Sequence, residues 1–131
     1  MEDLKKRSIP AVLETLTYLP DRTPESSMDG GTAGAFATLF DYRDGGVYVG
    51  HYSGSSAWER HPQGDEIVMA IEGYTTLILL EDGVEVPIDL KAQEMVVVRA
   101  NTWHRFKNAR ELKVMAVTPQ PSEHQLEHPG G

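Results

Sequence analysis

Glu59, His61 and Glu66 lie close together in WERHPQGDEIVMAIEG, residues 58–73, and each carries an atom that can hold a metal ion or exchange a proton. Glu59 and His61 are two positions apart, so on an extended strand both side chains point to one face. Pro62-Gln63-Gly64 supplies turn residues, and a hairpin there would return Glu66 beside His61. A second stretch has a similar layout: Met95-Val96-Val97-Val98 leads through Arg99-Ala100-Asn101-Thr102 into Trp103-His104-Arg105-Phe106, so a second hairpin would place His104 at the start of its returning strand. Each residue also has a plainer reading. Glu59 can sit at a solvent-facing strand end beside Arg60 or Arg105, His61 and His104 can be ordinary core or surface histidines, and Asp65 competes with Glu66 as the acidic partner.

Cysteine is absent, which excludes disulfides, thiolate nucleophiles and Cys-ligated zinc or iron–sulfur sites; any metal must be held by histidine and carboxylates. Two carboxylates buried together in an apolar interior repel each other and lose hydration, so without a cation at least one of their pKa values should rise. Such a pair needs a metal, an arginine or a proton. Arg99, on the turn before His104, can supply positive charge or hold a substrate carboxylate, though solvent exposure is its simpler reading. No nucleophile–base triad is visible, and the glycine-rich pieces lack the strand-to-helix context of a phosphate loop.

Twelve basic against twenty acidic residues give a formal charge of -8, and only Lys5-Lys6-Arg7 interrupts the acidic excess, so nucleic acid is not an expected partner and that cluster reads as a solvated start. No apolar run reaches the roughly 18 residues of a membrane span. The N-terminus has no apolar segment followed by a small-residue cleavage site, so no membrane association and a cytoplasmic location are expected.

The elements that must position these residues read as β. At 131 residues the chain suits a single domain. Its first part, residues 1–34, is an arm whose Val12 to Leu19 alternates partly, as a strand does, followed by the Pro-, Ser-, Asp- and Gly-rich loop of residues 20–34. The core, about residues 35–118, reads as about eight short strands: AFATLFDY, VYVGHYS, EIVMAIEG, TTLILLEDG, VEVPIDL, MVVVRAN, WHRFKN and LKVMAVTP. That spacing of apolar runs and turn signals predicts an all-β sandwich or barrel without long helices. Residues 119–131 read as a polar, proline-rich tail or a short closing segment, in which His124 and His128 look incidental. His51 shares a strand face with Val47 and Val49 and reads as structural, Gly73 and Asn108 read as turn residues, and Trp58 and Trp103 should face away from the interior as packing or interface residues.

The two histidine stretches resemble the cupins, whose fold is a double-stranded β-helix, or jelly-roll, barrel. Their first motif, glycine, five residues, H-x-H, three or four residues, E, six residues, G, is similar here to Glu59-x-His61, four residues, Glu66, six residues, Gly73. Their second, glycine, five residues, P-x-G, two residues, H, three residues, N, is similar to Arg99-x-Asn101, two residues, His104, three residues, Asn108. Where the family has its first histidine this chain has Glu59, the preceding glycine is shifted to Gly54, and the P-x-G turn is Arg99-Ala100-Asn101, in which asparagine can adopt the left-handed conformation.

The resemblance implies one divalent ion (Mn, Fe, Ni or Zn) held by Glu59, His61, Glu66 and His104. A two-His, two-Glu set balances the ion's charge and leaves it a weaker Lewis acid than a three-His, one-Glu set would. Two functions follow: a metal-dependent enzyme acting on a small organic acid or related metabolite, or a non-catalytic cupin that binds or senses a metal or small molecule. A vacant coordination position reachable by small molecules favours the first, a closed or empty barrel the second. The resemblance also implies a homodimer paired through its sheets, and the N-terminal apolar strand offers a surface that could pair with or swap onto a neighbour.

Overall fold

The computed structural model describes residues 5–130; the first four residues of the arm and the last residue of the tail lie outside the described residues. The chain opens differently from the expected strand. Ser8 caps a short helix, α1 (Ile9–Glu14), accepting from the Ala11 amide at 3.3 Å, and Pro10 sits in its first turn. Capping and proline thus override the β-branched, alternating character of this stretch. Val12 and Leu13 are buried against Leu39 and Val49 on the outside of the sheet. Arg7 is tied down as well, its guanidinium donating to the Leu39 carbonyl at 3.1 Å.

Strand β1 (Leu19–Arg22) follows, then a five-residue helix α2 (Pro24–Met28), a 3-10 turn (Ala33–Ala35), and the strands β2 (Phe36–Tyr42), β3 (Gly45–Gly54), β4 (Trp58–Arg60), β5 (Glu66–Glu81), β6 (Val84–Lys91), β7 (Met95–Val98), β8 (His104–Pro119) and β9 (Glu123–Gln125). All nine strands belong to one sheet that turns back on itself, as the jelly-roll expectation requires. β8 is the hub, pairing antiparallel with β3, β4 and β5. β5 also pairs with β6 through its second half and with β7 through its first.

Six of these strands account for the eight expected runs. EIVMAIEG and TTLILLEDG form the single strand β5, and WHRFKN and LKVMAVTP form β8. Gly73 (φ +82°), Asn108 (φ 53°) and Glu111 (φ 43°) therefore lie at irregularities inside two long paired strands and not in turns between short ones. At Gly73 a Cβ would collide with the carbonyl of Glu111, so glycine is needed both for its positive φ and for the close approach of β8. The interior between the two halves of the roll is filled by Tyr52, Val68, Leu77, Leu90, Val98, Phe106, Leu112 and neighbours.

Neither histidine-bearing stretch is a hairpin. β4 pairs with β8 and β9 instead of β5, and β7 pairs with β5 instead of β8. β4 is three residues long and both its edges are already taken, so the Pro62-Gln63-Gly64 turn carries the chain across the roll rather than back along β4.

Candidate metal centre

His104 begins β8 at the point where that strand meets two partners, opposite Glu59 of β4 and opposite Leu79 of β5. Glu66, at the start of β5, and His61, just past β4, complete a cluster in which one ligand atom from each of the four residues lies within 4.8 Å of the others. His61, Glu66 and His104 are buried, and Glu59 is 19% exposed. All four residues expected as ligands are thus brought together. Asp65 is turned outward, where it accepts from the Ala100 amide at 2.8 Å and from Arg99 at 3.0 Å. Arg99 is exposed and clasps that turn, outside the cavity that the cluster faces. Asn101 takes the left-handed conformation (φ 62°), and its amide donates to the His61 carbonyl at 3.0 Å, so the turn before one histidine anchors the backbone of the other.

Inside the cluster, His104 Nε2 lies 3.1 Å from Glu66 Oε1 and 3.4 Å from Glu59 Oε1, and His61 Nε2 lies 3.3 Å from Glu66 Oε1. These separations are short, yet His61 Nε2, Glu66 Oε1 and His104 Nε2 are all buried without a hydrogen bond. In the absence of an ion, only their mutual charge contacts and a proton on His104 offset the burial of these three atoms. A cation shared between them would satisfy all three, which is how the residues present fit a metal ion.

The outward atom of each residue is already engaged. His104 Nδ1 donates to the Thr102 carbonyl at 2.9 Å, which leaves Nε2 as the atom facing the cluster. His61 Nδ1 lies 2.8 Å from Ser122 Oγ; that hydroxyl donates to Gln120 Oε1 at 3.1 Å, so His61 Nδ1 is the donor of the pair. Thr118 donates to Glu66 Oε2 at 2.6 Å, and Glu59 Oε2 lies 3.1 Å from His124 Nε2. Each ligand candidate therefore has its orientation fixed from behind.

Thr118, Ser122 and His124 carry no signature in sequence. His124 looks incidental there, in a stretch read as a tail, because nothing in its spacing relates it to residue 59. The structure corrects this: β9 pairs with β4, setting His124 opposite Glu59. His128 is likewise engaged, with its ring edge-to-face on buried Trp58 at 5.1 Å and Nε2 2.9 Å from Glu85. Trp103 lies under the Arg60 guanidinium, and His51 sits outside the roll against Tyr18, with ring centres 4.6 Å apart, in keeping with a structural role.

Electrostatics also depart from the sequence expectation. Burial does push both carboxylates up, but His104 and His124 hold Glu59 well below its usual range, and His104 and His61 bring Glu66 down despite repulsion from Glu59. Burial disfavours charge on His104 too, yet the two carboxylates outweigh it and its pKa is pushed up to about 10. The cluster thus balances itself with a proton on His104 in place of raised carboxyl pKa values.

The cluster forms one wall of a cavity of about 330 Å³ inside the roll, a size suited to a small organic ligand. Phe36, Tyr52, Phe106, Val114 and Ala116 supply its apolar lining, and Arg22, Gln120 and His124 its polar one. Glu59 and His124, 19% and 39% exposed, mark the route to solvent.

The protein-family model described as a cupin domain matches residues 48–118, a little over half of the chain. Among solved structures, the chain is similar to a cupin-2 domain protein of Shewanella frigidimarina (23% identity, 66% of this chain and 80% of that one, TM-score 0.56). It is also similar to an uncharacterised double-stranded β-helix protein of Klebsiella pneumoniae (18% identity, 93% and 97%, TM-score 0.61). A third is hydroquinone 1,2-dioxygenase in complex with Cd2+ and 4-hydroxybenzonitrile (17% identity, 64% and 63%, TM-score 0.54). At these identities the likeness is one of fold. No curated protein matches the chain.

Proposed function

The chain belongs to the cupin family, and from that premise we propose that Glu59, His61, Glu66 and His104 bind one divalent metal ion, of the class Mn, Fe, Ni or Zn, and that the protein is a metal-dependent enzyme acting on a small organic acid or related metabolite in the adjoining cavity. The observation that carries this reading is the set of three buried, unbonded atoms, His61 Nε2, Glu66 Oε1 and His104 Nε2, beside a cavity that small molecules can enter. A closed barrel would have favoured a purely structural or sensing role. When bound, such an ion supplies Lewis-acid chemistry, drawing charge from an oxygen atom of the ligand.

The chain's own residues do the rest. Thr102, Ser122 and Thr118 hold the two histidines and Glu66 in place, and Phe36, Phe106 and Val114 keep water away from the ligand's apolar part. Of the two carboxylates, Glu59 is the one with a path to solvent, since Oε2 lies 3.1 Å from His124 Nε2 and both residues are partly exposed. The formal charge of -8 supports a small-molecule ligand over nucleic acid. No described helix is long and apolar enough to cross a membrane, and a cytoplasmic location is part of the reading.

A homodimer belongs to the same reading, supported by the outer face of the sheet. Met95 and Val97 are 59% and 41% exposed, and they stand in register with Met69 and Met115 and with Ile67 and Val117. These form two adjacent apolar rows across β7, β5 and β8.

Elemental analysis of tag-free protein prepared without chelator tests the metal reading. About one equivalent of a transition metal is expected in the parent and a loss of it in the Glu59→Ala, His104→Ala double variant. No uptake by the parent after incubation with Mn, Fe, Ni and Zn would overturn it.

A further inference from the structure

Arg22 stands at the end of β1, where its backbone passes so close to β3 that a Cβ at Gly54 would collide with its carbonyl. That contact, together with the Ser55 amide donating to the Arg22 carbonyl at 2.7 Å, holds the residue at the cavity wall. Its guanidinium lies over the rings of Tyr52, 4.5 Å from the ring centre, and Phe36, at 5.1 Å. Arg22 Nε is buried without a hydrogen-bond partner, and so is the Tyr52 hydroxyl. Tyr52 itself is fully buried, and both residues line the same cavity as Glu59, His61 and Glu66. Beyond their contact with each other, these two buried groups have no polar partner, and an anionic acceptor would satisfy both.

Charge counting says which acceptor. Two carboxylates offset a divalent ion, leaving the metal centre neutral when its histidines are neutral, so Arg22 gives the loaded cavity a net charge of about +1. A monoanion brings that to zero; a dianion does not. Phe36, Phe106, Val114 and Ala116 give the same cavity an apolar lining.

We propose that Arg22 and Tyr52 form a carboxylate-binding pair, and that the ligand of this cavity is a monocarboxylate carrying a small apolar body, with any further oxygen of the acid turned toward the Glu59, His61, Glu66 and His104 cluster. This rests on the metal-binding reading for its charge count, while the pair itself is formed by residues outside the cluster. Arg22 is a specificity residue here, and Arg99, the arginine suggested by sequence, is engaged elsewhere.

The test is isothermal titration of benzoate, phenylacetate and mandelate into Mn-loaded protein, each beside its neutral amide, for the parent, Arg22→Met, Arg22→Lys and Tyr52→Phe. Arg22→Met keeps the aliphatic stem over the rings, and thermal unfolding with metal content verifies that each variant folds and loads. At least one acid should bind the parent one to one and at least tenfold more tightly than its amide. Arg22→Met should lose at least tenfold in affinity for the acid but not the amide, Arg22→Lys should recover part of it, and Tyr52→Phe should lose severalfold, with metal equivalents unchanged in all.

No acid binding to the loaded parent, equal binding of acid and amide, or unchanged acid affinity in Arg22→Met would each overturn the inference while leaving metal binding intact. Failure of the parent to take up metal would instead sink the metal reading, and with it the charge count that selects a monoanion.

Discussion

At the scale of single residues, the proposed metal ion and the proton on His104 are alternatives. His104, with its pKa pushed up to about 10, carries a proton at neutral pH that a metal ion would have to displace. Metal binding near pH 7 should therefore release about one proton, read as a dependence of the binding heat on buffer ionisation enthalpy, and the apparent affinity should rise with pH; a pH-independent affinity between pH 6 and 9 would contradict this. The same raised value predicts the stability of the metal-free protein. His104 contributes fully below its ordinary value of 6.5, and that contribution fades as pH rises toward about 10. Glu59 and Glu66 are shifted the other way, so their contribution is present above their ordinary 4.5 and fades as pH falls. Metal-free protein should be most stable between these limits, with a Tm that declines from pH 6.5 to 9 and is restored by metal. Residues behind the ligands matter in proportion to burial. Thr118→Val removes the hydrogen bond that Glu66 Oε2 accepts at 2.6 Å and should weaken metal binding roughly 10- to 100-fold, whereas replacing exposed Arg99 should leave it unchanged.

At the scale of elements, two features of β-strand geometry hold the centre together. Gly73 allows β5 to run unbroken past β8, and Gly73→Ala should cost about 1–3 kcal/mol or more in denaturant unfolding, through a positive φ and a collision with the Glu111 carbonyl. The second is β9. It adds three residues to the edge of β4, yet it delivers His124 to Glu59, and Ser122 just before it supports His61. Ending the chain at Pro119 should lower metal affinity at least tenfold. The rest of the barrel, whose core lies elsewhere, should keep its cooperative unfolding. Loss of folding on this truncation would show that the C-terminal segment is structural first.

At the scale of the whole molecule, the apolar rows on the outer face of β7, β5 and β8 ask for a cover. The cluster of Val12 and Leu13 already packs against Met115 at one end of these rows, while Met95 and Val97 stay exposed at the other. The proposed dimer should elute near twice the chain's 14.5 kDa in light-scattering chromatography. The Met95→Glu, Val97→Glu double variant should shift it to monomer without loss of metal, since both side chains point away from the cavity. A parent that is monomeric at tens of micromolar would dispose of this interface.

The sequence alone determined the β-rich class, the absence of any cysteine chemistry and the four residues of the cluster, because alternation, turn residues and motif spacing are local and survive in a one-dimensional string. It also placed Glu66 ahead of Asp65, since only Glu66 keeps the spacing to Gly73. What lies beyond local spacing was decided by tertiary structure. The two histidine stretches look like hairpins until β4 is seen to spend both edges on β8 and β9. Val12 to Leu19 looks like a strand until Ser8 and Pro10 start a helix whose buried face needs the outside of the sheet. His124, Ser122, Thr118 and Arg22 reach the site from strands and loops distant in sequence, and no spacing rule links them to residues 59–66. The proton on His104 is of the same kind: it depends on two carboxylates 3.1 and 3.4 Å from one ring nitrogen, distances that only the closing of the barrel creates.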